Sequence, residues 1–407
     1  MTDKLIVAPH IYKVIERLQE AGFETYVVGG AIRDLMLGRP PKDYDISTEA
    51  TPEQVRQVFG KRNARIIGKR FKLVHLRYSG DLIEISTFRR TPDETGQIPG
   101  KQRKSPIPEN MIFRDNEYGT AEEDAWRRDF TVNALFYDPV HDDLIDFTGF
   151  GIGDMHEGIV RAIGDPLLRF EEDPVRILRA LKLVGQYDFI PDPETKKAIK
   201  SSIYLIKHAA NSRLSLELEK ILKGTYGHNI LAAFHDYGFL GNFLPYLEEN
   251  WNTPARSYAL ELLAERNNRV QRGIYRDSIS LAMAALALPF IEAEIDNGNR
   301  GDLWTPTKDS KYKIRRILLE AFTPHNMIKR LTSSAQRILS IQPRLRYTEA
   351  RSKTVTSLQG YTHSRELMML QNELVWKDEN LSRRWPKFVS QRKHKKKRSG
   401  KKHRKHT

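Results

Sequence analysis

The chain has 407 residues, enough for two or three domains and a sizeable core. Apolar residues make up 39% and charged residues 29%, a soluble globular composition. The absence of cysteine excludes disulfides, cysteine-ligated zinc and thiol nucleophiles, and fits a reducing compartment. The net charge of +15 is uneven: eleven Lys or Arg and no acid lie between Lys387 and Lys405, and removing them leaves +4.

From the N-terminus, no continuous apolar core marks a signal peptide. Apolar spacing predicts a helix from about Pro9 to Gly22. A short buried strand follows at 24–30, ending in Gly29 and Gly30, then a short helix closed by Gly38. Residues 43–47 read as a second strand. Thr51, Pro52 and Gln54 form the opening of a helix with a capping box. Three β-rich segments follow at 64–68, 71–78 and 81–88. From Arg90 to Gly119 the pattern fails, and Pro, Gly and charge predict a mobile loop. A helix restarts at Thr120, with Glu123 completing a second capping box, and is read through to about residue 138. Short strands are predicted at 143–147 and 158–163. Beyond Glu171 the chain turns almost wholly helical, to about Trp385.

The apolar run at 281–290 is too short to cross a bilayer and contains Pro289, so the protein reads as cytoplasmic with no membrane partner. The expected fold class is α+β: a head of mixed sheet and helices (1–148), an all-α neck (149–230), a helical body (231–385) and a basic tail (386–407). The tail has nothing to bury and reads as disordered. Its charge points to a polyanion, because Lys and Arg release counterions from phosphate backbones. A solubility tail is the alternative.

Asp43 and Asp45 are two residues apart, which on a strand puts both side chains on one face. Two such carboxylates repel unless a cation sits between them, and magnesium favours carboxylate oxygens plus substrate phosphates. Glu84 is a third acid, facing the open side of the sheet if Ile83 and Ile85 point inward. Three acids suit a two-metal phosphoryl-transfer centre. Taken alone, an Asp-x-Asp pair fits a surface loop equally well. Gly29 and Gly30 end a strand and open a helix, where backbone N–H groups face a phosphate. Arg33 lies one turn on, and Asp34 is placed to hold a neighbour.

Further along, Arg127 and Arg128 supply charge for a triphosphate. Asp129 is an acceptor for a ribose hydroxyl, with Asn133 four residues later on the same predicted helical face. Surface salt bridges are the alternative. Asp173 reads as an N-cap with Pro174 at the first helical position, and Arg176 and Arg179 share a face.

The stretch "GGAIRDLMLGRPPKDYDIST" from Gly29 resembles the signature of the class II tRNA nucleotidyltransferase and bacterial poly(A) polymerase superfamily, built on a polymerase-β-like palm. Three further segments agree in order. "RRDFTVNAL" from Arg127 resembles the family's ribose-recognition motif. "DFTGFGIGDMHEGIVRAIGDP" from Asp146 resembles its neck element, one residue longer than the usual spacing. "EEDPVRILRALKL" from Glu171 resembles its base-recognition helix.

The resemblance implies that Asp43 and Asp45 bind Mg2+ (two ions, with Mn2+ an alternative) and that Glu84 supports them. It implies that Gly29, Gly30, Arg33 and Arg128 hold the triphosphate of ATP. It implies that Asp129 and Asn133 take the ribose, and that Asp173 and Arg176, with Arg179 beside them, read the base. Between the two activities of the superfamily, "IIGKRFKLVHL" from Ile66 leans towards poly(A) addition, as does a basic tail for gripping RNA of any sequence. The implied activity is template-independent addition of AMP from ATP to RNA 3′ ends, in mRNA processing and decay. CCA addition to tRNA is the alternative, and an RNA-binding regulator would have lost the acids that this chain keeps.

Overall fold

A computed structural model describes residues 5–68, 72–90, 117–295, 307–347 and 353–385. Most of the loop at 90–119, Lys69 to Phe71 of the 66–76 stretch, and the basic tail lie outside the described residues. The chain divides into two compact units, one of residues 1–253 with 320–327 and one of 254–319 with 328–407.

The first unit opens with α1 (Pro9–Glu20), whose Ile11, Val14, Ile15 and Leu18 are buried at helical spacing. Next come β1 (Thr25–Val28), α2 (Gly30–Met36), β2 (Asp45–Thr48) and α3 (Pro52–Phe59). The α3 capping box is present in both directions: Gln54 N–H donates to Thr51 Oγ1 at 3.3 Å, and Thr51 N–H to Gln54 Oε1 at 2.8 Å. The three β-rich segments become β3 (Ala64–Ile67), β4 (Leu73–Tyr78) and β5 (Asp81–Thr87).

Among the described residues, seven strands form one mixed sheet in the order β3-β4-β5-β2-β1-β6-β7, with β6 at Phe136–Asp138 and β7 at Asp143–Ile145. The pairing is antiparallel except β2 with β5, which is parallel and sets Asp45 opposite Glu84. Alternation buries Ile83 and Ile85 and leaves Glu84 exposed, as expected from the period of two.

The helix expected from Thr120 to about 138 is much shorter. Its capping box forms, but α4 (Ala121–Trp126) ends before the two arginines. The chain turns, makes a 3₁₀ turn at Thr131–Asn133 and becomes β6 on the free side of β1. Phe136 and Tyr137 are buried there, and sheet pairing outweighs the local helical pattern.

The neck carries α5 (Gly151–Glu157), α6 (Pro166–Glu172) and α7 (Val175–Tyr187). It is helical except for a parallel two-stranded ribbon of β8 (Ile159–Val160) and β9 (Ile190–Pro191). In the longer neck element, Asp146 takes N–H bonds from Thr148, Gly149 and Ile152 at 3.1 Å each, so the extra length is held in a closed turn. Asp154 ties that turn to the head, accepting Thr131 Oγ1 at 2.6 Å.

After β9 come α8 (Pro193–Ser202), a 3₁₀ turn (Ile203–His208), α9 (Asn211–Lys223), α10 (Gly227–Asp236), α11 (Leu240–Phe243) and α12 (Pro245–Glu249). α10 packs on α7, so packing places residues 231–253 with the first unit although they fall in the span read as the body.

The second unit contains α13 (Pro254–Gln271), α14 (Ile279–Ile295), α15 (Lys308–Glu320), α16 (Lys329–Tyr347), α17 (Lys353–Thr356), α18 (Tyr361–Gln371) and α19 (Leu381–Arg384). α14 holds the apolar run noted above and is buried along residues 280–292 against α13 and α16. Among the described residues no helix is long and apolar enough to cross a membrane.

A Cβ added at Gly185 of α7 would stand 2.5 Å from the Ile230 Cα of α10, a backbone contact that cannot give way. Gly185→Ala is therefore expected to lower stability by about 1–3 kcal/mol, despite alanine's better helix propensity. A thermal melt with an unchanged midpoint would contradict that packing.

Candidate functional site: a cationic cleft between the sheet and the neck helices

The glycine turn comes first. Gly29 has φ +73°, a conformation open to glycine at little cost. A Cβ there would meet Arg128 Nη1 at 3.3 Å, and one at Gly30 would meet Arg33 Nη2 at 3.2 Å. The two glycines thus let two guanidinium groups lie against the backbone. The Gly29 N–H is itself engaged with Leu135 C=O at 3.4 Å.

Both arginines are held. Arg33 donates to Asn133 Oδ1 at 2.6 Å and to the Tyr187 hydroxyl at 2.7 Å, and its guanidinium lies over the Tyr187 ring at 4.4 Å. Asp34 accepts the Tyr187 hydroxyl at 2.7 Å and so fixes the platform under Arg33. Arg128 donates to Asp124 Oδ2 at 2.8 Å and to Ser47 Oγ at 3.3 Å.

Asp129 is buried, with both oxygens engaged. Oδ1 takes the Phe130 N–H at 2.9 Å and Asn133 Nδ2 at 3.2 Å, and Oδ2 takes Arg179 Nε at 2.8 Å. Asp129 and Asn133 therefore meet, but across the 3₁₀ turn and not on a helical face. Burial alone would raise this carboxyl. The Arg179 charge, with the Asn133 and Phe130 hydrogen bonds, more than offsets it and holds the group below the ordinary range.

The neck helices supply the opposite wall. α7 begins one residue later than its predicted cap, yet the Asp173 carboxylate still accepts the Val175 N–H at 3.1 Å. It also takes a two-pronged pair from Arg213 of α9, at 2.9 and 2.7 Å. Arg176 bonds Glu172 at 2.7 Å and the Arg169 carbonyl at 2.9 Å. Arg169 is buried and donates to the carbonyls of both Arg127 and Arg128 at 2.7 Å, which pins the arginine turn to α6.

These groups enclose a cleft of about 620 Å³. Gly29, Gly30, Arg33, Asp45, Arg127, Arg128, Asp129, Asn133, Asp173, Arg176 and Arg179 all line it. Asp43 and Glu84 do not. Asp43 is exposed in the bend before β2, because the strand begins only at Asp45, so the shared strand face expected for the two aspartates is not formed. Among the described residues, no group of three His, Asp or Glu side chains forms a ready metal cage. The three acids meet instead as an electrostatic neighbourhood: burial first, then the charges of Asp43 and Glu84, push the Asp45 carboxyl up, against the pull of Arg128. Glu84 has a further neighbour, His75, directly across the sheet with Nε2 at 3.2 Å.

Sequence reasoning missed Arg169, Lys182, Tyr187 and Arg213. Lys182 and Tyr187 had a signal, since they continue along α7 the side begun by Arg176 and Arg179. Arg213 had none, as its partner Asp173 lies 40 residues away, and Arg169 showed only its local pairing with Glu172, not its contacts to the Arg127 and Arg128 carbonyls 42 and 41 residues away.

This is the architecture of a nucleotidyltransferase palm with a helical neck. Residues 25–161 match the family described as Poly A polymerase head domain, and residues 188–250 the one described as probable RNA and SrmB-binding site of polymerase A. Poly(A) polymerase I of Escherichia coli O6:H1 is 33% identical over 343 residues, covering 83% of this chain and 72% of that protein. Poly(A) polymerase I of Haemophilus influenzae is 40% identical over 251 residues, covering 61% of this chain and 54% of that one. Among solved structures, the Bacillus stearothermophilus CCA-adding enzyme in complex with CTP is similar, with a TM-score of 0.63 and 25% identity over 93% of this chain and 82% of that one. The chain belongs to the poly(A) polymerase family of nucleotidyltransferases. It spans about half of the Haemophilus relative and about seven-tenths of the Escherichia one.

Removing Arg179 leaves the Asp129 carboxylate buried without its ion pair. The native depression of that pKa stabilises the fold above the unfolded value of about 3.9 and is lost only as pH falls through the lower folded value. In Arg179→Ala burial is opposed only by the Asn133 and Phe130 hydrogen bonds and the Arg176 charge, and the carboxyl rises. Thermal melts should show the full loss at pH 7 and a gap to wild type that narrows towards about pH 4. A gap independent of pH would contradict the pairing.

Proposed function

We propose that the chain is a template-independent poly(A) polymerase that adds AMP from ATP to RNA 3′ ends and releases pyrophosphate. The observation that carries this reading is the 33% identity to a poly(A) polymerase I across 83% of the chain. The likeness to a CCA-adding enzyme bound to CTP supports a second reading, ordered addition of C, C and A to tRNA.

The 3′-hydroxyl oxygen forms a bond to the α-phosphorus of ATP, its proton leaves, and the bond to the pyrophosphate oxygen breaks. Arg33 and Arg128, drawn in by the glycine turn, hold the triphosphate as fixed cations that need no rearrangement during reaction. Asp129 accepts a ribose hydroxyl, which favours ATP over dATP. Its existing partners fix its direction and leave one lone-pair site, on Oδ2, available. Asp173 and Arg176 face the base, and Arg179 keeps Asp129 ionised beside them.

The acids fit a divalent cation. Burial and then the like charges of Asp43 and Glu84 raise the Asp45 carboxyl against the pull of Arg128, and Asp43 stands in a solvent-open bend. Magnesium is suited to one or two carboxylates shared with substrate phosphates and not to an all-protein cage. Held by Asp43 and Asp45 with Glu84 in support, such ions would lower the pKa of the attacking hydroxyl and neutralise charge on the departing phosphates.

In EDTA at neutral pH, Asp45→Asn should melt higher than wild type, because the repulsion among three carboxylates is relieved. Added magnesium should stabilise the wild type and leave the variant unmoved. Asp43→Ala and Asp45→Ala should abolish AMP incorporation while retaining part of the ATP binding seen by equilibrium dialysis. Near-normal incorporation by either would remove both aspartates from the mechanism.

Offering ATP and CTP separately, with a generic RNA and with a tRNA lacking its terminal trinucleotide, separates the two activities. Long ladders with ATP alone on generic RNA are expected. Two C and one A added only to tRNA would establish the second reading.

A further inference from the structure

The register of the sheet sets four ionisable residues in one row. Arg65 of β3 stands opposite His75 of β4, His75 opposite Glu84 of β5, and Glu84 beside Asp45 of β2. Residues in register on neighbouring strands point to the same face. Val74, Leu76, Ile83 and Ile85, which alternate with His75 and Glu84, are buried on the other face, so the row lies on the open side.

Among the described residues, one side-chain hydrogen bond joins neighbours in the row, between His75 Nε2 and Glu84 Oε1 at 3.2 Å. An ionised carboxylate only accepts, so Nε2 carries the proton and donates it. The Glu84 side chain is 56% exposed, and its other oxygen makes no hydrogen bond among the described residues. Arg77, two residues along β4 from His75, is the diagonal neighbour of Glu84 on the same face and is exposed, as is Arg65. Either guanidinium would draw a free glutamate away from Asp45. On an open sheet face a His–Glu pair adds little to stability. This one fixes a charge that acts on Asp45, whose carboxyl is pushed up by burial and then by the charges of Asp43 and Glu84.

We propose that His75 is the positioning residue for the third acid: its Nε2–H holds the Glu84 carboxylate in the row beside Asp45, where it supports a divalent ion. The inference rests on the reading of the acids as the metal site. His75 exercises this role through Glu84 alone. A glutamate that is already fixed has less side-chain freedom to lose when the ion arrives, so the ion is held more tightly.

The test follows the thermal midpoint of the full chain as magnesium chloride is added to metal-free protein. His75→Ala should leave the metal-free midpoint close to wild type and raise the magnesium concentration for half of the shift roughly tenfold. Glu84→Ala should raise it at least as far, and adding His75→Ala to that background should change nothing more. His75→Gln, which keeps an N–H donor at the same place, should restore most of the response. A wild-type response in His75→Ala, with the shift abolished in Asp45→Asn, would overturn the inference and keep the metal reading. Additive losses in the double variant would overturn it too, because His75 would then act apart from Glu84. A lower metal-free midpoint with an unchanged magnesium response would reduce the pair to a structural contact and count equally against it. A wild type that magnesium does not stabilise would sink the metal reading, and this inference with it.

Discussion

The cleft depends on one buried carboxylate. Asp129 stands where the arginine turn leaves α4, and its partner Arg179 belongs to a helix 50 residues further on. The pair joins the sheet side of the cleft to the neck side. Arg169 repeats the join through the carbonyls of Arg127 and Arg128. A buried acid of this kind is tolerable only while fully bonded, so the geometry that keeps Asp129 ionised also sets the separation of the two walls.

Around that join the charges are arranged in two manners. The arginines are satisfied: each guanidinium is fixed by a carboxylate, a carbonyl, an amide oxygen or a ring before any substrate arrives. The acids near β2 are the opposite, left to repel one another with Asp45 at the centre. On the proposed reading, the satisfied cations would be a rigid receptor for phosphates and the mutually repelling acids would favour a divalent ion.

Much of this was legible in the sequence, and the reason differs by element. The capping boxes at Thr51 and Thr120 were local, and they formed as expected. The alternation of 83–85 settled the facing of Glu84 from three residues. The glycine turn was visible, but its purpose was not: the glycines chiefly admit two side chains from elsewhere, and one of the expected N–H groups is spent on Leu135. The region after Trp126 misled because its apolar spacing suits a helix until β1 offers Phe136 and Tyr137 a free edge. Asp43 fell outside its predicted strand for a similar reason, since pairing with β1 begins only at Asp45. Arg213, and the contact of Arg169 to the Arg127 and Arg128 carbonyls, were illegible because long-range pairs leave no periodic trace.

Gly185 lies on the back of α7, away from the cleft. Backbone touching backbone there leaves the helix no freedom to roll about its own axis. The azimuth of Arg176 and Arg179 is thereby set from behind, by a residue on the far side of the helix from the cleft. On the proposed reading, base discrimination would have a mechanical foundation behind the helix, and exchanging only the facing side chains would be working on a helix whose orientation is already locked.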